Sequence, residues 1–232
     1  MDIPIFFLHA FSPANIITLD EETSKHAVQV LRMKAGQNLQ LADGAGNLLT
    51  AEILDEHKKK CTVKIIDTKV VARKQQVVSV GISLLKNVSR FEWFLEKATE
   101  IGVTEIVPLL CERTEKQHFR FERMKQIVIS AMMQSKQVWL PTLQQPMPMR
   151  KAVGVSNHGL KLIAHCEEET KSSITDFRKQ LSVNILIGPE GDFTKDEISL
   201  AIDHYYAPVS LGETRLRAET AGVVASTILC IR

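Results

Sequence analysis

At 232 residues, with 44% hydrophobic and 24% charged side chains, the chain has the composition of an ordinary soluble protein and room for one large domain or two modest ones. Its net charge of +2 means that any basic surface must arise from local placement and not from the overall balance. No apolar run reaches membrane-spanning length, and Cys61, Cys111, Cys166 and Cys230 lie far apart without metal-ligand spacing, as expected of free, buried or semi-buried thiols in a reducing compartment.

The opening MDIPIFFLHAF is too short and lacks the basic start of a signal peptide, so a cytoplasmic protein is expected. TSKHAVQVLRM (23–33) reads as a helix. Leu39 and Leu41 alternate with polar residues, Asp43-Gly44-Ala45-Gly46-Asn47 makes a turn, and Leu49, Ala51 and Ile53 alternate again, followed by CTVKII (61–66). This predicts a small β-rich domain over residues 1–72. Beyond the basic stretch KVVARKQQ (69–76), a second domain, 73–232, alternates strands and helices.

In that second part VVSVGISLL (77–85) is a buried strand, and Ser89-Arg90-Phe91-Glu92 has the form of a capping box opening a helix that Gly102 stops. EIVPLL (105–110) is the next strand and FERMKQIVISAMMQ (121–134) the next helix. LKLIAHC (160–166), a short helix around 173–181, and VNILIG (183–188) follow. Thr194-Lys195-Asp196-Glu197 is a second capping box, and APVSLG plus a last helix from about Glu219 close the chain. Such alternation predicts a parallel sheet covered by helices on both faces.

In such sheets ligands bind outside the carboxyl ends of the strands. Three strand ends qualify: Ala164-His165-Cys166, Ile187-Gly188-Pro189-Glu190-Gly191, and Leu211-Gly212. Gly188 and Gly191 bare the backbone and Pro189 stiffens the turn, although a tight strand-to-helix turn without a ligand has the same signature. GxGxxG and the Walker motif are missing, which argues against a dinucleotide or ATP. In SLGETRLRAET (210–220), Arg215 and Arg217 face opposite ways if extended, and Glu219 opens a helix; a cap plus an ion pair is the plain alternative.

Together GPEGDFTKDE and LGETRLRAETAG resemble the paired signatures of the RsmE family of 16S ribosomal RNA uracil-N3 methyltransferases, in the SPOUT superfamily. LLKNVSRFEWFLEKATEIGVTEIVPLL and HAVQVLRMKAGQ resemble the family's first α/β unit and its N-terminal domain, so the likeness covers nearly the whole chain. Asp192 departs from it, standing where many members have glycine; a carboxylate there could meet the cofactor's sugar hydroxyls.

The resemblance implies a PUA-like β-barrel joined to an α/β domain with a C-terminal trefoil knot, S-adenosylmethionine as cofactor, and a homodimer. The implied reaction is methylation of N3 of one uridine in the decoding region of 16S rRNA in the assembled 30S subunit, with no metal and no membrane. The cofactor is then expected on the backbone of Ala164, His165 and Cys166, of Ile187, Gly188, Pro189, Glu190 and Gly191, and of Leu211, Gly212 and Leu216.

Uracil N3 loses its proton only well above neutral pH, so Arg217 is expected to stabilise the developing anion and Glu219 to hold Arg217 or accept the proton. Arg32, Lys86, Arg90 and Lys97 are the RNA-binding candidates, the last two seven apart on one helix face; a solvated basic face is the alternative. Glu92, Glu96 and Glu100 read as a solvated stripe rather than a metal site. Rival functions are methylation of another RNA position and a non-catalytic RNA-binding or assembly factor.

Overall fold

Alternating apolar residues in the first part of the chain make a sheet with one buried face. The computed structural model describes residues 3–9, 14–167, 170–178 and 180–231. Strands β1 (Ile5–Phe7), β2 (Ile16–Thr18), β3 (Asn38–Ala42), β4 (Asn47–Asp55) and β5 (Thr62–Val70) form one sheet in the order β1-β3-β4-β5-β2. Leu39, Leu41, Leu49, Ala51, Ile53 and Val63 point inward and are almost wholly buried. Register shifts at Thr50/Ala51 and Ile53/Asp55 curl the long β4–β5 pair. The turn works as its sequence suggests: Asp43 Oδ1 accepts the amides of Ala45 (2.8 Å) and Asn47 (3.1 Å), while Gly44 and Gly46 take positive φ. The helix expected at 23–33 is shorter and split into α1 (Glu21–Lys25), capped by Asp20, and one π-helical turn at His26–Val30.

Residues 132–140 belong with this N-terminal unit, whereas the sequence places them in the α/β domain. Met132 and Val138 join Ala42 in a small apolar cluster, and Trp139 Nε1 donates to the Val71 carbonyl (2.9 Å). A side chain on Gly46 would lie 2.5 Å from the Trp139 ring, so this contact requires glycine.

The second unit, Lys74–Ala131 with Pro141 onward, is a parallel α/β layer structure. Its elements are β6 (Val77–Ser83), α2 (Val88–Ile101), β7 (Glu105–Leu110), α3 (Phe121–Gln134, its last residues counted with the first unit), β8 (Thr142–Leu143), β9 (Met147–Pro148), α4 (Met149–Val155) and β10 (Leu160–Ala164). Then come β11 (Ser172–Ser173), β12 (Ser182–Ile187), α5 (Lys195–Asp203), β13 (Ala207–Ser210) and α6 (Ala218–Cys230). The strand order is β11-β13-β10-β12-β6-β7-β8, with β9 also on β7, and every pairing is parallel. Both faces are covered. Met149, Val153, Ile198 and Ala201 of α4 and α5 pack on Leu109, Ile163 and Leu186, while α6 packs on β6, β12 and α2.

α6 approaches α2 closely because Gly222 faces Phe94: an added Cβ would lie 2.6 Å from the ring. Two helix starts differ from expectation. Asn87, not Ser89, caps α2, accepting the Ser89 amide at 2.9 Å, and Glu92 turns to Arg123 instead. The segment expected as a helix around 173–181 makes a single 3-10 turn, Ile174–Phe177. The Thr194–Glu197 box caps α5 from both directions.

Candidate active site

The three strand ends singled out in the sequence are neighbours. β10 lies between β12 and β13, with Ala164 level with Ile187 on one side and Val209 on the other. All three chains therefore leave the sheet at the same height, and their loops enclose a cavity of about 730 Å³. That is ample for a nucleoside-sized ligand. The expected residues Ala164, His165, Cys166, Ile187, Gly188, Pro189, Glu190, Leu211, Gly212, Leu216 and Arg217 line it. Gly191 does not; its carbonyl is taken by Arg113 (2.7 Å), which also reaches the Phe193 carbonyl (3.3 Å).

Each loop is held by contacts of its own. A Cβ on Gly188 would come within 3.0 Å of the Phe193 amide nitrogen, so the tight turn itself demands glycine there. Gly212 has φ +143° with open space where a side chain would stand, and its amide donates to the Ser210 hydroxyl (3.3 Å), which in turn donates to its carbonyl (3.0 Å). The Glu190 carboxylate accepts the Lys86 amide (3.0 Å), tying this loop to the end of β6. Asp192 occupies the left-handed region at φ +65° and spans two loops, accepting the amides of Cys166 (2.7 Å) and Phe193 (2.8 Å). Both oxygens are thus bonded to protein backbone, a different task from the sugar contact suggested for it. Lys171 donates to the carbonyls of His165 (2.6 Å) and Glu167 (2.7 Å) at the end of β10.

Arg215 lines the cavity together with Arg217. Leu216 between them lines it too, so the whole stretch from Glu213 to Arg217 borders the cavity. Lys171 and Arg215 were not among the expected cofactor-site residues, and Asp192 was expected only as a contact to sugar hydroxyls. Asp192 and Arg215 sit inside the motif loops, but Lys171 carries no pattern that a sequence could reveal. Lys171, Arg215, Arg217, Glu190, Asp192 and Glu213 all line the cavity, which therefore carries charges of both signs. Cys166 is the exposed thiol of the four, in contrast to the semi-buried state expected. Burial of the sulfur and the Asp192 carboxylate raise its pKa against the pull of Arg215, so the thiol stays protonated at neutral pH.

Glu219, in the first turn of α6, is buried and outside the cavity lining. It lies 3.6 Å from Arg90 Nε on α2, not against Arg217, and its Oε2 has no hydrogen-bond partner. Arg217 is exposed at the cavity and, among the described residues, has no carboxylate partner. The other RNA-binding candidates are placed as follows. Lys86 pairs with Glu115 (2.8 Å) and Lys97 with Glu96 (2.6 Å) and Glu100 (3.0 Å), so with Arg90 three of the four already face carboxylates. Arg32 is exposed on the N-terminal unit, with φ +55°. The stripe of Glu92, Glu96 and Glu100 is consumed by Arg123 and Lys97. Among the described residues no cluster of three or more His, Cys, Asp or Glu side chains could hold a metal ion.

Residues 72–230 match the RNA methyltransferase domain family, and residues 19–66 match the PUA domain of RNA methyltransferases. A Synechocystis protein named ribosomal RNA small subunit methyltransferase E is 32% identical over 90% of this chain and 71% of its own length. The crystal structure of a Porphyromonas gingivalis protein is 35% identical, with a TM-score of 0.90 over 97% of this chain and 95% of that one. The Neisseria gonorrhoeae ribosomal RNA small subunit methyltransferase E, solved bound to S-adenosylmethionine, is 25% identical, with a TM-score of 0.87 over 97% of this chain and 96% of that one. The chain belongs to the RNA methyltransferase family that includes the ribosomal RNA small subunit methyltransferase E proteins.

Proposed function

We propose that this protein uses S-adenosylmethionine to methylate N3 of a uridine in the decoding region of 16S ribosomal RNA, acting on the assembled 30S subunit. Family membership and the relatives' names support RNA methylation on the small subunit. The observation that carries the reading to chemistry is the level ending of β10, β12 and β13 around a cavity lined by Arg217, which has no carboxylate partner among the described residues.

The residues present fit the cofactor. The cavity is lined by Gly188 and Gly212, by the apolar Ile187, Val209 and Leu211, and by charges of both signs. Backbone of 164–166, 187–190 and 211–216 would hold it, and when bound it supplies an electrophilic methyl group on a sulfonium. Asp192 keeps two of these loops in register before any ligand arrives.

Arg217, which meets no carboxylate among the described residues, is available to a uracil carbonyl oxygen, where its charge would favour loss of the N3 proton. Glu219, already facing Arg90, is better placed to fix the start of α6, and hence the arginine that precedes it, than to accept that proton. Arg32 and the exposed faces of Lys86, Arg90 and Lys97 would contact RNA phosphates.

The same reading includes a closed PUA-like barrel formed by the curled N-terminal sheet, a C-terminal trefoil knot, a homodimer and a cytoplasmic location. The strand order supports the knot: β13 follows β12 in the chain yet lies beyond β10, and the chain then returns to place α6 against β6 and β12. Partly exposed Val223, Val224 and Ile228 on α6 supply apolar surface for a dimer. Mass spectrometry of 16S rRNA from cells lacking the protein tests the reaction. One uridine should lose its N3 methyl group and regain it when protein and cofactor are added to isolated small subunits; an unchanged methylation map would end this reading.

A further inference from the structure

Residues 113–125, RTEKQHFRFERMK, hold five cations against two carboxylates, a net of +3 in thirteen residues, in a chain whose total is only +2. They join β7 to α3 and form its first turns. Such a stretch is commonly a loose solvated loop, but this one is fastened at both ends. Thr114 is buried, with its Oγ1 accepting the Cys111 amide (2.9 Å) and bonded to Ser83 Oγ (2.9 Å). Arg113 holds the carbonyls of Gly191 and Phe193, beside the cavity loop. Midway along, Phe119 packs edge-on against Phe91 of α2, with ring centres 6.0 Å apart, and the far end is held in α3 with Met124 buried.

The segment's cations divide into two kinds, and its second carboxylate, Glu122, is exposed on α3. Glu115 is matched by Lys86, and Arg123 by Glu92. Lys116, Arg120 and Lys125 are exposed and, among the described residues, face no carboxylate; Arg120 Nε bonds only to the His118 ring (3.3 Å), which leaves its charge unbalanced. Uncompensated like charges carried on one fastened segment raise the local positive potential, and a polyanion lying along them is attracted to it. The row starts at the cavity: Glu190, in the cavity wall, bonds the Lys86 amide, and the Lys86 ammonium pairs with Glu115.

Resting on the RNA-methyltransferase reading, we infer that residues 113–125 are the surface that holds the RNA backbone on its way to the cavity, with Lys116, Arg120 and Lys125 meeting successive phosphates. None of these residues was among the RNA-binding candidates of the sequence, and all three lack the internal partners that occupy Lys86, Arg90 and Lys97.

The test compares the full-length protein with a double charge reversal, K116E/R120E, and with R150E/K151E on α4, which changes net charge equally. Binding to a fluorescent single-stranded RNA is followed from 50 to 300 mM salt, and cofactor binding by calorimetry. K116E/R120E should weaken RNA binding about 10- to 100-fold at ~0.1 M salt and lower the salt slope by roughly 1 to 2, leave cofactor affinity and melting temperature unchanged, and methylate at the wild-type rate when RNA saturates. R150E/K151E should bind RNA within about twofold of wild type. Equal effects from the two doubles, or none from the first, would overturn the assignment. Absence of cofactor binding or methylation in the wild-type protein would instead undo the functional reading, independently of the RNA-binding result.

Discussion

The Asp192 carboxylate accepts the backbone amide of Cys166 at 2.7 Å, joining the loop after β12 to the loop after β10. Its other oxygen accepts the Phe193 amide at 2.8 Å, and the residue sits at φ +65°, a region that aspartate tolerates better than most side chains. Two charge-assisted bonds worth ~1.5–3 kcal/mol each before reorganisation outweigh a backbone penalty of about 1 kcal/mol. Asp192→Ala loses both bonds and keeps the strained backbone. Calorimetry should show cofactor affinity about tenfold weaker, equivalent to ~1.4 kcal/mol. Asp192→Gly removes the strain and not the loss, so it should bind no better than about threefold above Ala. Wild-type affinity in both would mean the bridge is irrelevant to the cavity.

Arg217 separates binding from chemistry. Because it lines the cavity yet has no carboxylate partner among the described residues, Arg217→Ala removes a charge without freeing a buried one. Single-turnover methylation should fall about 10²–10³-fold, while cofactor affinity changes less than threefold. Arg217→Lys should recover only part of the rate, since an ammonium lacks the planar fork. Methylation at the normal rate in the alanine variant removes Arg217 from the mechanism.

Gly222 offers a stability test in which two effects oppose each other. Alanine would gain about 1 kcal/mol of helix propensity, but its methyl would stand 2.6 Å from the ring of Phe94, which is fully buried and has no room to yield. Overpacking of that kind costs about 1–3 kcal/mol, so the net effect is destabilising. Thermal unfolding of Gly222→Ala should begin several degrees below wild type, and Gly222→Val lower still. A melting point at or above wild type would show that α2 and α6 can separate without loss.

Acid stability should depend on Glu105. The His158 ring, 3.7 Å away, is the main influence holding this carboxyl down at about 2, helped by Gln144 (2.9 Å) and Ser79 and opposed by burial. A folded-state pKa below the unfolded one contributes stability above the unfolded value near 4.5, and that contribution is lost as pH falls from there towards 2. After solvent screening it amounts to about 1–2 kcal/mol. Urea midpoints of Glu105→Gln should therefore be lower than wild type at pH 7 and converge with it by about pH 2. Parallel curves across that range would refute the pairing.

Much of this molecule is legible along the chain because its signals are local. The apolar run of β6, the inward alternation of Leu39 and Leu41, the Thr194–Glu197 box and the stop at Gly102 all act within a few residues. Periodicity and capping are properties of neighbouring backbone, so one sequence suffices to read them. The three strand-end loops belong to the same class, since glycine after an apolar run marks a chain leaving a sheet. Even there locality misleads when two signals compete: Asn87, not the better-known motif at Ser89, caps α2.

What the tertiary structure decided is everything that depends on which strands become neighbours. That β10 lies between β12 and β13, bringing three distant loops level, follows from crossover connections that leave no local trace. The same holds for Trp139 settling on Gly46, for Glu219 meeting Arg90 in place of Arg217, and for Arg215 lining the cavity beside Arg217. These contacts join residues tens of positions apart, or lie in the loop after Gly212, and their energies come from packing and charge pairing that exist only once the sheet has formed.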